Sequence, residues 1–136
     1  MEVKEKRPFL TEAEAQQMVA DVPTPFHVYD EKGIRANARR INEAFSWNKG
    51  FREYFAVKAL PNPYIMQILR EEGCGVDCSS LTELMLSEAV GFAGEEIMFS
   101  SNQTPSEDMK KAYDLGAYIN LDDATMVGFL DRVAGV

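Results

Sequence analysis

The chain has 136 residues, with 14 Lys+Arg against 22 Asp+Glu and a formal charge of −8, a balance that argues against a nucleic-acid backbone or an anionic membrane surface as partner. Hydrophobic residues at 46% and charged residues at 26% exclude a disordered chain and suit one globular domain. The opening run Met1-Glu-Val-Lys-Glu-Lys-Arg-Pro8 lacks the apolar core of a secretory signal, and no segment approaches the roughly 18 apolar residues of a membrane span. The two cysteines, Cys74 and Cys78, stand at i, i+4 and not in a CxxC pair, so reduced thiols and a cytoplasmic protein are expected. A single histidine, His27, leaves no multi-histidine metal site, and no metal is expected.

In chain order, Thr11-Glu-Ala-Glu14 has capping-box spacing and predicts a helix through about Ala20, which Val22-Pro-Thr-Pro25 ends. Phe26-His-Val-Tyr-Asp30 predicts a strand. Residues 31 to about 45 predict an amphipathic helix with Ile34, Ala38, Ile41 and Phe45 on one stripe, and Trp47-Asn-Lys-Gly50 a turn. Tyr54-Phe-Ala-Val-Lys-Ala59 reads as a buried strand carrying one lysine. Pro61-Asn-Pro63 halts it and starts a helix with Ile65, Ile68 and Leu69 at apolar positions. Gly73-Cys-Gly-Val-Asp77 predicts a short strand, and Ser80-Leu-Thr-Glu83 a capping box ahead of a helix from Leu84 to Val90. The unit then recurs: strand Ile97-Met-Phe99, capping box Thr104-Pro-Ser-Glu107 with proline at the first helical position, strand Tyr118-Ile-Asn-Leu121, and a last helix toward Arg132 capped by Asp122 or Asp123.

Strand starts at Tyr54, Gly75, Ile97 and Tyr118 are 21, 22 and 21 residues apart. A near-constant strand–helix period predicts right-handed crossovers and a parallel sheet, hence the α/β class. Two architectures share that pattern, a doubly wound open sheet and a (β/α)8 barrel. The length suits the first, the regularity the second.

In both, chemistry gathers at the carboxyl ends of the strands. Lys58, Asp77 with Cys78 and Ser79, Ser100-Ser-Asn102, and Asn120 with Asp122 fall there. Lys58 stands out. An ammonium behind Tyr-Phe-Ala-Val is costly to bury, and desolvation leaves a nucleophilic amine able to condense with an aldehyde. The plainer reading is a strand-end lysine reaching water. Asp77 follows the next strand at the equivalent level, within reach of Lys58, or else serves as a turn residue or helix cap. Glu83 reads first as the capping-box acid. The serines and Asn102 precede helices, whose starts they suit and where backbone amides can hold an anion.

The run Tyr54-Phe-Ala-Val-Lys-Ala-Leu-Pro-Asn-Pro63 resembles the fold-type III, pyridoxal-phosphate-dependent decarboxylases of diaminopimelate, ornithine and arginine, most of all those acting on diaminopimelate. Gly73-Cys-Gly-Val-Asp-Cys-Ser-Ser-Leu-Thr-Glu83 resembles the family's second barrel strand and following helix start. Thr24-Pro-Phe-His-Val-Tyr-Asp30 is similar to the strand leading into the barrel, and Ile97-Met-Phe-Ser-Ser-Asn102 to its third strand. The resemblance implies the first half of a (β/α)8 barrel over residues 24–136, after an N-terminal helix and linker over residues 1–23. It implies that Lys58 holds pyridoxal 5'-phosphate covalently, that Ala56 lies against the cofactor ring and that Asp77 neighbours the lysine. Glu83, Cys78, Ser79 and Asn102 are then candidate pocket-lining residues. It further implies loss of carbon dioxide from a small amino acid.

The family's glycine-rich phosphate loop, ring-stacking histidine, acid at the pyridine nitrogen and β-rich domain have no counterpart among these residues. The chain is therefore expected to be inactive alone. Two open sheet edges and an uncovered inner face predict self-association, as a homodimer or otherwise. Two rival readings stand beside this one: a cofactor-binding or regulatory homologue without decarboxylation, and an acidic receiver-type signalling module. In the latter Asp30-Glu31 and Asp77 would be the acidic residues, but Asp122 and Asp123 stand where its lysine belongs.

Overall fold

A computed structural model describes residues 8–135; the run Met1–Arg7, where a secretory signal was sought, and Val136 lie outside the described residues. The chain divides between Asp30 and Glu31 into two compact units. The first carries helix α1, Glu12–Asp21, with the capping box in place: the Glu14 backbone donates to Thr11 Oγ1 at 3.3 Å, and the Thr11 backbone to Glu14 Oε2 at 2.8 Å. The strand expected over Phe26 to Asp30 does not form, and none of its residues joins the sheet. Alternation marks a segment able to be a strand, but a strand needs a neighbour to complete its ladder. Here the i, i+2 side chains of His27 and Tyr29 stack on each other, with centroids 6.2 Å apart.

The second unit runs α2 (Glu31–Ala44), β1 (Tyr54–Ala56), a 3-10 turn (Val57–Ala59), α3 (Pro63–Glu71), β2 (Gly75–Cys78), α4 (Leu81–Val90), a second 3-10 turn (Gly94–Glu96), β3 (Ile97–Ser100), α5 (Ser106–Asp114), β4 (Tyr118–Asn120) and α6 (Thr125–Ala134). All four strand starts fall where the period put them. The sheet is wholly parallel and its order is β1-β2-β3-β4. A doubly wound sheet reverses its strand order at a switch point and takes helices on both faces. This one does neither. Val57, Val76, Cys78, Ile97 and Phe99 pack with Met66, Leu84 and Ala112 from the helices and Phe92 from the loop after α4 into one buried cluster. The alternate positions, Tyr54, Ala56, Asp77, Met98 and Ser100, are only partly buried. Sequential parallel strands with helices on one side form an arc of a (β/α)8 barrel, convex under the helices and concave on the inner face. The receiver-type reading fails on that order.

Gly75 shows how tightly the arc closes at its amino end. It is paired with Tyr54, and a Cβ built on it would lie 2.6 Å from the backbone oxygen of Glu96 and 2.7 Å from the Tyr54 ring. A backbone atom cannot rotate away, so Gly75→Ala is expected to cost about 1–3 kcal/mol in urea unfolding. A variant within about 0.5 kcal/mol of wild type would show that β2 can shift.

Helix α2 docks on α3 by charge. Arg35 reaches Glu71 at 2.7 Å and Glu72 at 3.1 Å, while Arg39 reaches Glu72 at 2.6 Å. Asn42 donates to the Glu72 carbonyl at 2.8 Å. Of the apolar stripe, Ala38 is buried and Ile34 and Ile41 half-buried, but Phe45 lies past the helix end, exposed, with its ring stacked on Phe51. Hydrogen bonds from Arg39 and then Arg35 lower the Glu72 carboxyl from an ordinary 4.5 to about 2. The folded-state value is the lower one, so the stabilisation is complete above about pH 4.5 and is lost as the pH falls toward about 2. Melting temperatures across that window are expected to fall more steeply for wild type than for Glu72→Gln; parallel curves would refute the linkage.

Three helix starts differ from their predicted caps. Thr104-Pro-Ser-Glu107 forms no capping box: α5 begins after Pro105 without a side-chain cap, and Thr104 is buried with Oγ1 donating to the Ser101 carbonyl at 3.3 Å. Burial turns the threonine hydroxyl back to its own loop. For α4, which starts at Leu81 and not at Leu84, Ser80 is the N-cap, but Glu83 reaches past it to the Ser79 amide at 2.8 Å. At α6 neither expected acid is the cap: the N-cap is Ala124, without a side-chain bond, and Asp123 one residue earlier accepts from the Thr125 backbone at 2.7 Å.

Candidate active site at the carboxyl rim of the sheet

The rim is built by register. Ala56 pairs with Asp77, Asp77 with Met98, and Ser100 with Asn120, so these side chains share the concave face at adjoining levels. Asp77 is half-buried, and its Oδ1 is buried with no hydrogen-bond partner among the described residues. An orphaned buried carboxylate oxygen is costly, and such groups in native folds mark sites completed by something else.

Lys58 departs from expectation. It is exposed and has no hydrogen bond or ion pair among the described residues, so neither a shielded amine nor a Lys58–Asp77 pair is present. The reason is local. The ladder of β1 ends at Ala56, and the 3-10 turn Val57–Ala59 carries Lys58 off the strand while sending Val57 into the core. Position at the rim survives; desolvation does not.

Cys78 does not line a pocket. It alternates with Asp77 and so lies on the helix-covered face, fully buried, with Sγ 3.2 Å from Ser87 Oγ. Burial pushes its thiol up to about 11, and Cys74 is likewise a free, buried thiol, shifted upward for the same reason. Ser79 offers its backbone amide to Glu83, whose other oxygen accepts from Ser80 Oγ at 3.3 Å. Glu83 thus braces the β2–α4 loop. Asn102 is exposed at the next loop and donates to Asp122 at 2.6 Å, tying the loops after β3 and β4 together. Sequence reading missed Asp108, which is buried in the first turn of α5 and accepts from the Leu81 amide at 2.9 Å. The available signal was an acid in a first turn whose own cap is a proline.

Residues 31–135 match the family described as pyridoxal-dependent decarboxylase, pyridoxal binding domain. The chain belongs to this family. Among curated relatives it is similar to Protein TabA of Pseudomonas amygdali pv. tabaci, at 48% identity over 77% of this chain and 25% of the relative. It is also similar to the diaminopimelate decarboxylase of Methanothermobacter thermautotrophicus, at 34% identity over 90% of this chain and 29% of the relative. Among solved structures, the diaminopimelate decarboxylase of M. jannaschi superposes with a TM-score of 0.84 at 26% identity, covering 90% of this chain and 30% of that one. The chain therefore spans about a quarter to a third of the length of these relatives. Within the pyridoxal-dependent decarboxylases, the four βα units described above are an arc of the cofactor-binding barrel. No described helix is long and apolar enough to cross a membrane.

Proposed function

We propose that this chain contributes Lys58 as the cofactor-holding amine of a pyridoxal-phosphate-dependent amino-acid decarboxylase, with Ala56 and Asp77 as its nearest cofactor-binding partners. Glu83, Ser79 and Asn102 take supporting places around them. The observation that carries this reading is the register pair Ala56↔Asp77, with Lys58 two residues beyond it and an unpartnered buried oxygen on Asp77. The residues fit the group. A small side chain leaves room for a flat ring against the strand, an unpaired amine is free to condense with an aldehyde, and the Asp77 carboxylate on the neighbouring strand has one oxygen unmet.

Bound pyridoxal phosphate supplies an electron sink for the bond to the departing carboxylate. Lys58 Nζ would be the amine that holds the cofactor, and at the rim it would also be the group able to give or take a proton there. Asp77 places its carboxylate at the same rim, while Glu83 braces the following loop through the Ser79 amide. The substrate we favour is meso-diaminopimelate, giving lysine and carbon dioxide, because two of the similar proteins named above carry that activity. Two buried reduced thiols suit the cytoplasm as its compartment.

The test is chemical capture. Protein mixed with pyridoxal phosphate, reduced with borohydride and digested is expected to carry the pyridoxyl mass on the Lys58 peptide. Prior addition of diaminopimelate should lower that yield more than lysine or ornithine does. An adduct spread evenly over the lysines would overturn the assignment.

A further inference from the structure

Only Cys78, Ser79 and Ser80 separate Asp77 from the first turn of α4, and three side chains hold the backbone there. Glu83 takes the Ser79 amide at 2.8 Å, and Ser80 Oγ takes the Glu83 amide at 3.4 Å. The third comes from another helix: Asp108 of α5 takes the Leu81 amide at 2.9 Å. Asp108 is 7% exposed and is the one charged side chain among the buried, described residues. Removing a carboxylate from water is costly unless its partner repays the lost hydration. The Leu81 amide does so as an orphan donor at the positive end of the α4 dipole. Asp108 sits in the first turn of a helix that has no side-chain cap of its own, yet it is committed across the helix pair and not to its own turn.

We propose that Asp108 is a positioning residue for the cofactor site. By fixing the Leu81 amide it locks the β2–α4 loop, and with it the height of Asp77 at the strand end relative to Lys58. This rests on the reading of Lys58 and Asp77 given above. A residue acting only as glue between α4 and α5 would behave like Lys111, which joins the same two helices through Glu88 at 2.6 Å. The two can therefore be told apart.

The experiment compares Asp108→Ala, Asp108→Asn, Leu81→Pro and Lys111→Ala by two readouts: the affinity with which Lys58 captures pyridoxal phosphate, and hydrogen exchange of the amides over residues 79–83. Asp108→Ala is expected to weaken capture about tenfold and to speed exchange in that loop. Asp108→Asn keeps an acceptor oxygen and should restore both. Leu81→Pro cuts the same bond from the donor side and should match Asp108→Ala even where the latter folds poorly. Proline is favoured at a first helical position, and Ser80 already has the extended backbone, φ −155 and ψ 163, that precedes one. Lys111→Ala should leave capture and loop exchange unchanged. Capture and exchange in Asp108→Ala and Leu81→Pro equal to wild type, or equal losses in Lys111→Ala, overturn the proposal. If wild type forms no adduct at Lys58, the proposed function fails, and loop exchange alone still decides whether Asp108 is the clamp.

Discussion

Lys58→Met is expected to abolish borohydride-stable attachment of pyridoxal phosphate while leaving the unfolding free energy within about 0.5 kcal/mol of wild type. The second half follows from the structure as directly as the first follows from the chemistry. Lys58 is exposed and unpaired among the described residues, so its removal takes away no hydrogen bond and no ion pair, and methionine keeps an unbranched stem of similar length. Its neighbour Val57, fully buried, does the structural work of the 3-10 turn. Lys58→Arg keeps the charge but cannot condense with an aldehyde, and should capture no better than methionine. Capture measured by mass on each peptide, beside urea unfolding of the same samples, checks both halves. Full adduct yield in Lys58→Met, at whatever lysine, would remove the chemical meaning of the position. A large loss of stability would instead make Lys58 a structural residue.

The sequence made the barrel arc legible because its signals are periodic. Strand starts at Tyr54, Gly75, Ile97 and Tyr118 repeat at one βα unit, with cap residues, prolines and glycines between them marking where helices start and stop. What it could not decide was strand order, since the same period serves barrel and open sheet; β1-β2-β3-β4 is a property of the assembled ladders. The site was legible as a set of positions and not as a set of contacts. Asp77 was readable as a rim residue from alternation, but the same alternation, applied one residue on, takes Cys78 into the core. Tyr-Phe-Ala-Val-Lys-Ala is apolar but for its lysine, so Lys58 reads as the end of a strand. A 3-10 turn after Ala56 leaves no trace in such a run. Asp108 was hidden because its partner, the Leu81 amide, is 27 residues away and belongs to the backbone, which carries no side-chain pattern.

Asp77→Val is expected to move stability and capture in opposite directions. In the strand Asp77 stands between Ala56 and Met98, with Oδ1 buried and unpartnered among the described residues. An unmet acceptor of this kind costs about 1–3 kcal/mol, and valine replaces it with a branched side chain that strands favour, so unfolding in urea should shift upward by up to that amount. If that oxygen serves the cofactor, the same change should weaken pyridoxal phosphate capture at Lys58 by about tenfold or more. Asp77→Asn separates the two contributions. It leaves a polar group in the same buried place, so it should gain little stability, yet it loses the charge and part of the capture. A residue kept only for packing would lose stability on substitution and leave capture alone. A residue kept for binding at the expense of the fold does the reverse, and that opposite sign is what the paired measurement reads.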